Sequence, residues 1–137
     1  MRVRFMENKE LVSQAFAAMK KAYAPYSGYK VGAAILTKSG KVYTGCNIEN
    51  AAYSPTVCAE RTAFFKAVSE GEKEFEKIAV CGGKDGGPED YFFPCGVCRQ
   101  VMAEFCEADF SILTAKSPSD YKENTLAQML PDAFTIK

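Results

Sequence analysis

The sequence predicts an α/β protein in which helices cover both faces of one five-stranded mixed sheet, giving three α/β/α layers. After an opening hairpin, apolar segments follow the order strand, helix, strand, helix, strand. The chain has 137 residues, enough for one domain with a substantial core. Two cysteine motifs also stand at the starts of two predicted helices, which places them at one end of the sheet. We therefore expect a single domain over residues 1–137.

The first element is a predicted amphipathic helix over residues 8–24. Apolar residues recur there at helical spacing, with Leu11, Ala15 and Met19 on one face. Pro25 ends this helix, because proline removes a backbone donor and cannot continue the helical hydrogen bonding.

A hairpin and a second helix follow. Residues 31–36 and 41–47 predict two strands, joined as a tight antiparallel hairpin by the turn residues 38–40. The helix is predicted over residues 56–69, because Ser54 and Pro55 supply an N-cap hydroxyl and a first-turn proline.

The second half continues the alternation. Residues 78–81 predict a short apolar strand, and Pro94 opens the next helix. Residues 110–114 and 121–125 predict two more strands, before a brief helix that ends at Pro131.

Composition excludes several classes of partner. Lys and Arg together number 17, equal to Asp and Glu, so no excess positive charge favours a nucleic acid or an anionic membrane surface. No apolar run approaches the roughly 20 residues of a membrane span. The first ten residues lack the apolar stretch of a signal peptide, so we expect a cytoplasmic location. In that reducing compartment, six cysteines indicate metal binding or free thiols rather than disulfides.

Three cysteines form the central candidate site. Cys58 stands alone and Cys95 and Cys98 form a C-x-x-C pair, while the chain contains no histidine. A structural zinc site usually has four protein ligands, whereas a catalytic one keeps three and leaves a position for water. The sequence therefore predicts a catalytic Zn²⁺ site with these three thiolates. The alternative is a closed structural cluster, for which Cys81 is the candidate fourth ligand.

Helix N-termini suit this chemistry, because their unpaired N–H groups favour the thiolate form that binds zinc. Cys95 and Cys98 are one turn apart, so both can face one ion. Three thiolates leave the centre with net negative charge, which makes a bound water less acidic. We expect Arg61 to offset this charge by hydrogen bonding to a ligand sulfur.

Glu60 is the candidate catalytic residue. It lies two positions after Cys58, where a carboxylate could move protons between an attacking water and a substrate. The alternative role is a salt bridge on a solvated helix face.

Several other features receive plainer interpretations. Residues 82–87 are glycine-rich but lack P-loop spacing, so we expect a flexible loop. Cys46, Cys81 and Cys106 are expected to behave as small buried apolar residues, with zinc binding as the alternative for Cys81. Phe92 and Phe93 are interpreted as core or interface residues. Arg99 is assigned to a subunit contact or to solvent.

Six motifs match one family, over a stretch that runs from about residue 8 to Phe134. They are Tyr23-Ala-Pro-Tyr-Ser27, Val31-Gly-Ala-Ala34, Gly45-Cys-Asn-Ile-Glu-Asn50, Cys58-Ala-Glu-Arg-Thr-Ala63, Pro94-Cys-Gly-Val-Cys-Arg-Gln100 and Leu130-Pro-Asp-Ala-Phe134. With them the chain resembles the small homotetrameric zinc-dependent cytidine deaminases. The C-x-E and P-C-x-x-C motifs mark the deaminase superfamily, and the segment 47–50 marks its free-nucleoside branch.

The resemblance implies a cytidine-deaminase-like fold and a hydrolase that binds one Zn²⁺ per subunit. It implies hydrolytic deamination of cytidine and 2′-deoxycytidine to uridine and 2′-deoxyuridine in pyrimidine salvage, with release of ammonia. The attack is at C4 of the pyrimidine, with Glu60 handling the protons.

The resemblance also implies substrate contacts. Asn47 and Glu49, two apart at a strand end, would hold the ribose 3′-hydroxyl. Ala51 and Tyr53 would come from a neighbouring subunit. The remaining contacts implied are the Phe134 ring of another subunit over the pyrimidine and the backbone N–H of Ala59 at the base edge.

Tyr29 departs from the family, because many relatives carry Phe where the ring packs on the sugar and base. Its added hydroxyl needs a partner, so it could shift substrate preference or point to water.

Other functions remain as alternatives. One is deamination of another aminopyrimidine nucleoside, such as a cytosine-containing antibiotic, although the ribose-binding residues argue against it. A polynucleotide-editing deaminase would need a basic groove that this neutral chain lacks. The non-enzymatic alternative is a structural zinc-binding module.

Overall fold

The computed structural model describes residues 6–84 and 90–136. Its elements, in chain order, are α1 (Asn8–Met19), β1 (Tyr29–Thr37), β2 (Val42–Cys46), α2 (Ala59–Ser69), β3 (Phe75–Lys84), α3 (Gly96–Phe105), β4 (Ser111–Ser117), β5 (Asp120–Thr125) and α4 (Leu126–Met129).

The strands of the described chain form one five-stranded mixed sheet, in the order β2-β1-β3-β4-β5. β3 and β4 are parallel, whereas the other neighbouring strands are antiparallel. The turn between β1 and β2 lies at residues 38–40 as predicted, and Gly40 supplies its positive φ of 92°. The predicted sheet and its opening hairpin are therefore confirmed.

Helices cover both faces of the sheet. α1 packs Leu11, Val12 and Ala15 against one face, in a cluster that includes Leu113 of β4. α2 and α3 cover the other face, where Phe64 is fully buried. The predicted three layers are confirmed.

The topology places the starts of α2 and α3 at the same edge of the sheet. β2 and β3 are both antiparallel to β1, so they run in the same direction. α2 follows β2 and α3 follows β3 along the chain. Both connections therefore leave from one edge, which brings the two cysteine motifs together as expected.

The first helix is shorter than predicted. It ends at Met19 rather than near residue 24. Tyr23 instead forms a parallel bridge with Ile48, in which its N–H donates to the Asn47 carbonyl at 3.0 Å and its carbonyl accepts from the Glu49 N–H at 2.8 Å. These long-range hydrogen bonds override the local helical pattern.

The start of the second helix was also predicted wrongly. α2 begins at Ala59 with Cys58 as its N-cap, so the segment 54–56 lies outside the helix. Val57 is paired with Ile48 in an antiparallel bridge, which keeps the chain extended up to the cap. Likewise, α3 begins at Gly96 with Cys95 as its N-cap, two residues after Pro94.

The ends of the strands differ by a few residues from the predictions. The difference is largest at β3, which has ten residues and extends beyond the predicted strand 78–81 at both ends. Residues 82–84 belong to this strand rather than to a loop. The rest of the predicted glycine-rich loop, residues 85–87, lies outside the described residues. Among the described helices, none has the length and apolar character needed to cross a membrane.

Candidate metal centre and active site

Three thiols meet where α2 and α3 begin. Cys58 and Cys95 are the N-cap residues of these helices, and Cys98 lies in the first turn of α3. Their sulfurs all lie within 4.8 Å of one another, with Sγ–Sγ distances of 3.7 Å from Cys58 to Cys95 and 3.6 Å from Cys95 to Cys98. Zn–S bonds of about 2.3 Å in a tetrahedron give sulfur–sulfur distances of roughly 3.8 Å. The three thiols therefore fit one zinc ion.

The start of α2 is held tightly on β2. A Cβ added at Gly45 would lie 2.5 Å from the Ala59 carbonyl oxygen, so only glycine allows this approach. The Thr62 hydroxyl donates to the Cys46 carbonyl at 3.0 Å, which ties the first turn of α2 to the end of β2. These contacts fix the position of Cys58.

Charge at the cluster is balanced by Arg61. Its Nη2 donates to the Cys58 sulfur at 3.3 Å, and its buried Nε has no hydrogen-bond partner among the described residues. Hydrogen bonding from Cys98 and, more weakly, from Arg61 lowers the pKa of Cys58 to about 5, against the opposing effect of burial. The interaction with Cys58, followed by burial, raises the pKa of Cys98. The expected contact between Arg61 and a candidate ligand sulfur is thus present.

Cys81 does not provide a fourth ligand. It is fully buried on the α1 face of the sheet, where its sulfur lies 4.0 Å from the Met19 sulfur. Burial raises the pKa of its thiol to about 12, which disfavours the thiolate. Within residues 6–84 and 90–136, the metal-binding group consists of the three cysteines at the helix starts. A three-thiolate set leaves one position open, as in catalytic zinc sites.

Glu60 lies beside this cluster rather than on a solvated surface. Its side chain is only 4% exposed, so the alternative of a surface salt bridge is wrong. Burial, and to a lesser extent the negative charge of Cys58, raises the pKa of the Glu60 carboxyl to about 7. A carboxyl with a pKa in this range can both accept and donate a proton near neutral pH.

A cavity of about 190 Å³ opens onto the candidate centre. Its wall includes Cys58, Ala59, Glu60 and Cys95, together with one residue each of β1 and β3, Asn47, Glu49 and the segments 56–57 and 92–93. The volume suits part of a small molecule, with the open side available for the remainder.

Asn47 and Glu49 both line this cavity, and most of their polar atoms are engaged with the backbone. The Asn47 amide donates to the Tyr29 carbonyl and accepts from the Val31 N–H, both at 2.8 Å. The Glu49 carboxylate accepts from the N–H groups of Tyr26 and Ser27 at 2.9 and 3.1 Å, and also from the Ser27 hydroxyl. These bonds, led by the Ser27 hydroxyl, lower the pKa of Glu49. Both side chains are thus fixed in orientation, with one amide N–H and carboxylate lone pairs left over.

Four predicted substrate-binding residues lie outside the cavity wall. Tyr29 is near it, with its ring centroid 6.0 Å from that of Phe92. Tyr53 is 79% exposed and has a positive φ of 65°, Phe134 is 71% exposed, and Ala51 is also exposed. The exposed side chains of Ala51, Tyr53 and Phe134 could therefore contact a second chain.

The places of the segment 92–93 and of Arg99 were not predicted. Phe92 and Phe93 line the cavity, and their position directly before Pro94-Cys95 was the available signal. The Arg99 side chain is hydrogen-bonded within its own chain. Its Nε donates to the Pro94 carbonyl at 2.7 Å, and its Nη1 donates to the Met129 carbonyl at 2.6 Å. Cys46 and Cys106 are half-buried rather than buried.

Known proteins are similar to this chain over nearly its whole length. The family model described as the cytidine and deoxycytidylate deaminase zinc-binding region matches residues 6–114. A cytidine deaminase of Sporosarcina psychrophila is 47% identical over 130 residues, which cover 95% of this chain and 93% of that protein. A cytidine deaminase of Halalkalibacterium halodurans is 48% identical over 133 residues, which cover 96% of this chain and 97% of that protein.

Solved structures agree with the sequence relatives. The crystal structure of a cytidine deaminase from Burkholderia pseudomallei superposes with a TM-score of 0.86 at 44% identity, covering 94% of this chain and all of that one. A cytidine deaminase from Mycobacterium tuberculosis gives a TM-score of 0.77 at 37% identity, covering 93% of this chain and 96% of that one.

Proposed function

Because the chain belongs to the zinc-binding cytidine and deoxycytidylate deaminase family, we propose that it hydrolyses cytidine and 2′-deoxycytidine to the uridine nucleosides and ammonia. The observation that carries this proposal is the placement of three thiols at tetrahedral spacing beside the buried carboxyl of Glu60. The single domain proposed over residues 1–137 would serve pyrimidine salvage in the cytoplasm.

Zinc would be held by Cys58, Cys95 and Cys98. When bound with an open position, it supplies a water of lowered pKa as a nucleophile near neutral pH. The chain's contribution is to keep three thiolates together, and the Arg61 hydrogen bond to Cys58 withdraws electron density from that sulfur.

Glu60 would move the protons of the reaction. Its raised pKa allows the carboxylate to take a proton from the attacking water and to deliver it to the ring nitrogen N3. The second water proton follows the same route to the amino group, which leaves C4 as ammonia. Burial of the carboxyl keeps bulk water from competing for these protons.

Recognition of the nucleoside would come from fixed polar groups at the other side of the cavity. Asn47 and Glu49 would bind the ribose 3′-hydroxyl with the amide N–H and carboxylate lone pairs that their backbone contacts leave free. The backbone N–H of Ala59 would contact the base edge, and the Tyr29 ring would pack near the sugar.

Assembly as a homotetramer would complete the site. Tyr53, Ala51 and Phe134 are exposed and outside the cavity wall of their own chain, which supports their use by neighbouring subunits. An obligate role of this kind makes activity depend on protein concentration.

An ultraviolet assay for cytidine loss tests the proposed function. The protein as isolated should deaminate cytidine, a zinc chelator should abolish turnover, and added Zn²⁺ should restore it. Full turnover by metal-free protein would contradict the proposal. Parallel assays with a cytosine-containing antibiotic and with single-stranded DNA test the alternative deaminase activities. We expect turnover of both compounds to be far below that of cytidine.

A further inference from the structure

Tyr91 makes contacts with the hairpin of β4 and β5 that the proposed mechanism does not use. Its hydroxyl donates to Asp120 Oδ1 at 2.6 Å. The ammonium groups of Lys116 and Lys122 lie 4.9 and 4.4 Å from the centroid of its ring, within cation–π range. One phenol is therefore bound by a carboxylate and flanked by two cations, all from one hairpin.

The hairpin is a well-defined support. Asp120 pairs with Ser117 and Lys122 pairs with Thr114 in the antiparallel ladder. Asp120 and Lys122 are two residues apart on β5, so their side chains leave from the same face. β4 is in turn paired with β3 in the middle of the sheet. The positions of Asp120 and Lys122, which contact Tyr91, are thus set by strand pairing.

The residues that follow Tyr91 belong to the cavity. The Phe92 ring packs near Tyr29, and it fills the space over Gly82, where a Cβ would come within 2.7 Å of the ring. Phe93, whose ring centroid is 5.9 Å from the Lys122 ammonium, also lines the cavity. The segment 91–93 therefore connects the hairpin on one side with the cavity wall on the other.

We propose that Tyr91, held by Asp120 and flanked by Lys116 and Lys122, is a positioning residue that fixes Phe92 and Phe93 on the wall of the nucleoside cavity. This inference rests on the proposed function, because it assigns the segment a role in binding the substrate of that reaction. The hydrogen bond to a carboxylate is of the stronger, charge-assisted kind. It also raises the pKa of the Tyr91 phenol above its ordinary value.

The expected effect falls on KM rather than on kcat. An aromatic wall contacts the nucleoside in the ground state and in the transition state alike, so its loss weakens both equally. Glu60 lies on α2 and Cys58 is its N-cap, whereas the Tyr91 side chain contacts Asp120, Lys116 and Lys122, so we expect the proton transfers to be unaffected.

The test compares kcat and KM for cytidine in the intact protein and in Tyr91→Phe, Asp120→Ala and the double variant. Each single change should raise KM about three- to tenfold, with kcat within about twofold of the wild type and with unchanged zinc content. The double variant should resemble either single one, because both remove the same hydrogen bond. Asp120→Asn keeps an acceptor oxygen and should recover most of the loss.

Tyr121→Phe is the matched control. Tyr121 neighbours Asp120 on the same strand, and its hydroxyl makes no hydrogen bond within the described part of the chain, so its KM should equal that of the wild type. An unchanged KM in Tyr91→Phe, an equal rise in Tyr121→Phe, or additive effects in the double variant would overturn the inference. An inactive wild type would overturn the proposed function as well, whereas an active wild type with unaffected variants would overturn this inference alone.

Discussion

The Nη2 atom of Arg61 lies 3.3 Å from the sulfur of Cys58, so a guanidinium is bonded directly to a candidate zinc ligand. The two residues are three apart and straddle the start of α2, one as its N-cap and the other within its first turn. The first turn of α2 thus brings together the Cys58 sulfur, the partial positive charge of the helix N-terminus and the full positive charge of Arg61. This arrangement compensates for the missing histidine, because three thiolates alone would leave the centre negatively charged.

The first prediction concerns that guanidinium. Arg61→Ala should lower zinc affinity or turnover by about 10- to 100-fold, since the partner of a ligand sulfur is lost. Metal content after dialysis against a chelator and kcat for cytidine measure the two effects. Arg61→Lys, which keeps a charge but loses the planar fork, should fall between Arg61→Ala and the wild type. Wild-type zinc retention and wild-type turnover in Arg61→Ala would refute the role.

The second prediction separates proton transfer from metal binding. Glu60→Gln should keep its zinc and lose about 10²- to 10⁴-fold in kcat, because the amide cannot carry the protons. Zinc analysis and the ultraviolet assay on the same sample test this. Retained turnover in a zinc-loaded Glu60→Gln protein would refute the mechanism. Retained zinc with lost turnover also excludes a purely structural zinc module.

The third prediction distinguishes the buried thiol from the candidate ligands. Cys81→Ala should retain one zinc per subunit, whereas Cys98→Ala should lose it, because only Cys98 belongs to the thiol cluster. Both residues are almost completely buried, which makes the pair well matched in cavity cost. Loss of zinc from Cys81→Ala in a folded protein would contradict the three-ligand site.

The fourth prediction concerns the approach of α2 to β2. Gly45→Ala should destabilise the fold by about 1–3 kcal/mol or more, because the added Cβ would overlap the Ala59 carbonyl oxygen at 2.5 Å. Gly96→Ala is the control, since a Cβ there meets no atom of the described chain within 4 Å. Thermal unfolding of both variants gives the comparison. Equal melting temperatures would show that α2 can shift without cost.

The site was largely predictable because its chemistry is local in sequence. Cys58 and Glu60 are two residues apart, and Cys95 and Cys98 are one helical turn apart, so the spacing within each motif indicated part of a metal site. Their meeting required only that two helices begin at one edge of the sheet, which the strand and helix order already predicted.

The errors arose where distant segments compete with local signals. Ser54 and Pro55 have helix-start chemistry, yet the bridge between Ile48 and Val57 holds the chain extended until Cys58. Local patterning contains no information on that bridge. In the same way, the place of Phe92 depends on the bare backbone at Gly82 on β3, ten residues earlier in the chain.

The coordination of the metal is the most direct test of the central claim. X-ray absorption at the zinc edge on the isolated protein should show three sulfur neighbours at about 2.3 Å and one oxygen or nitrogen at about 2.0–2.2 Å. The lighter neighbour should be displaced when an inhibitor with a metal-binding group is added. Four sulfur neighbours, unchanged by such a ligand, would show a closed structural site and contradict the proposed catalysis.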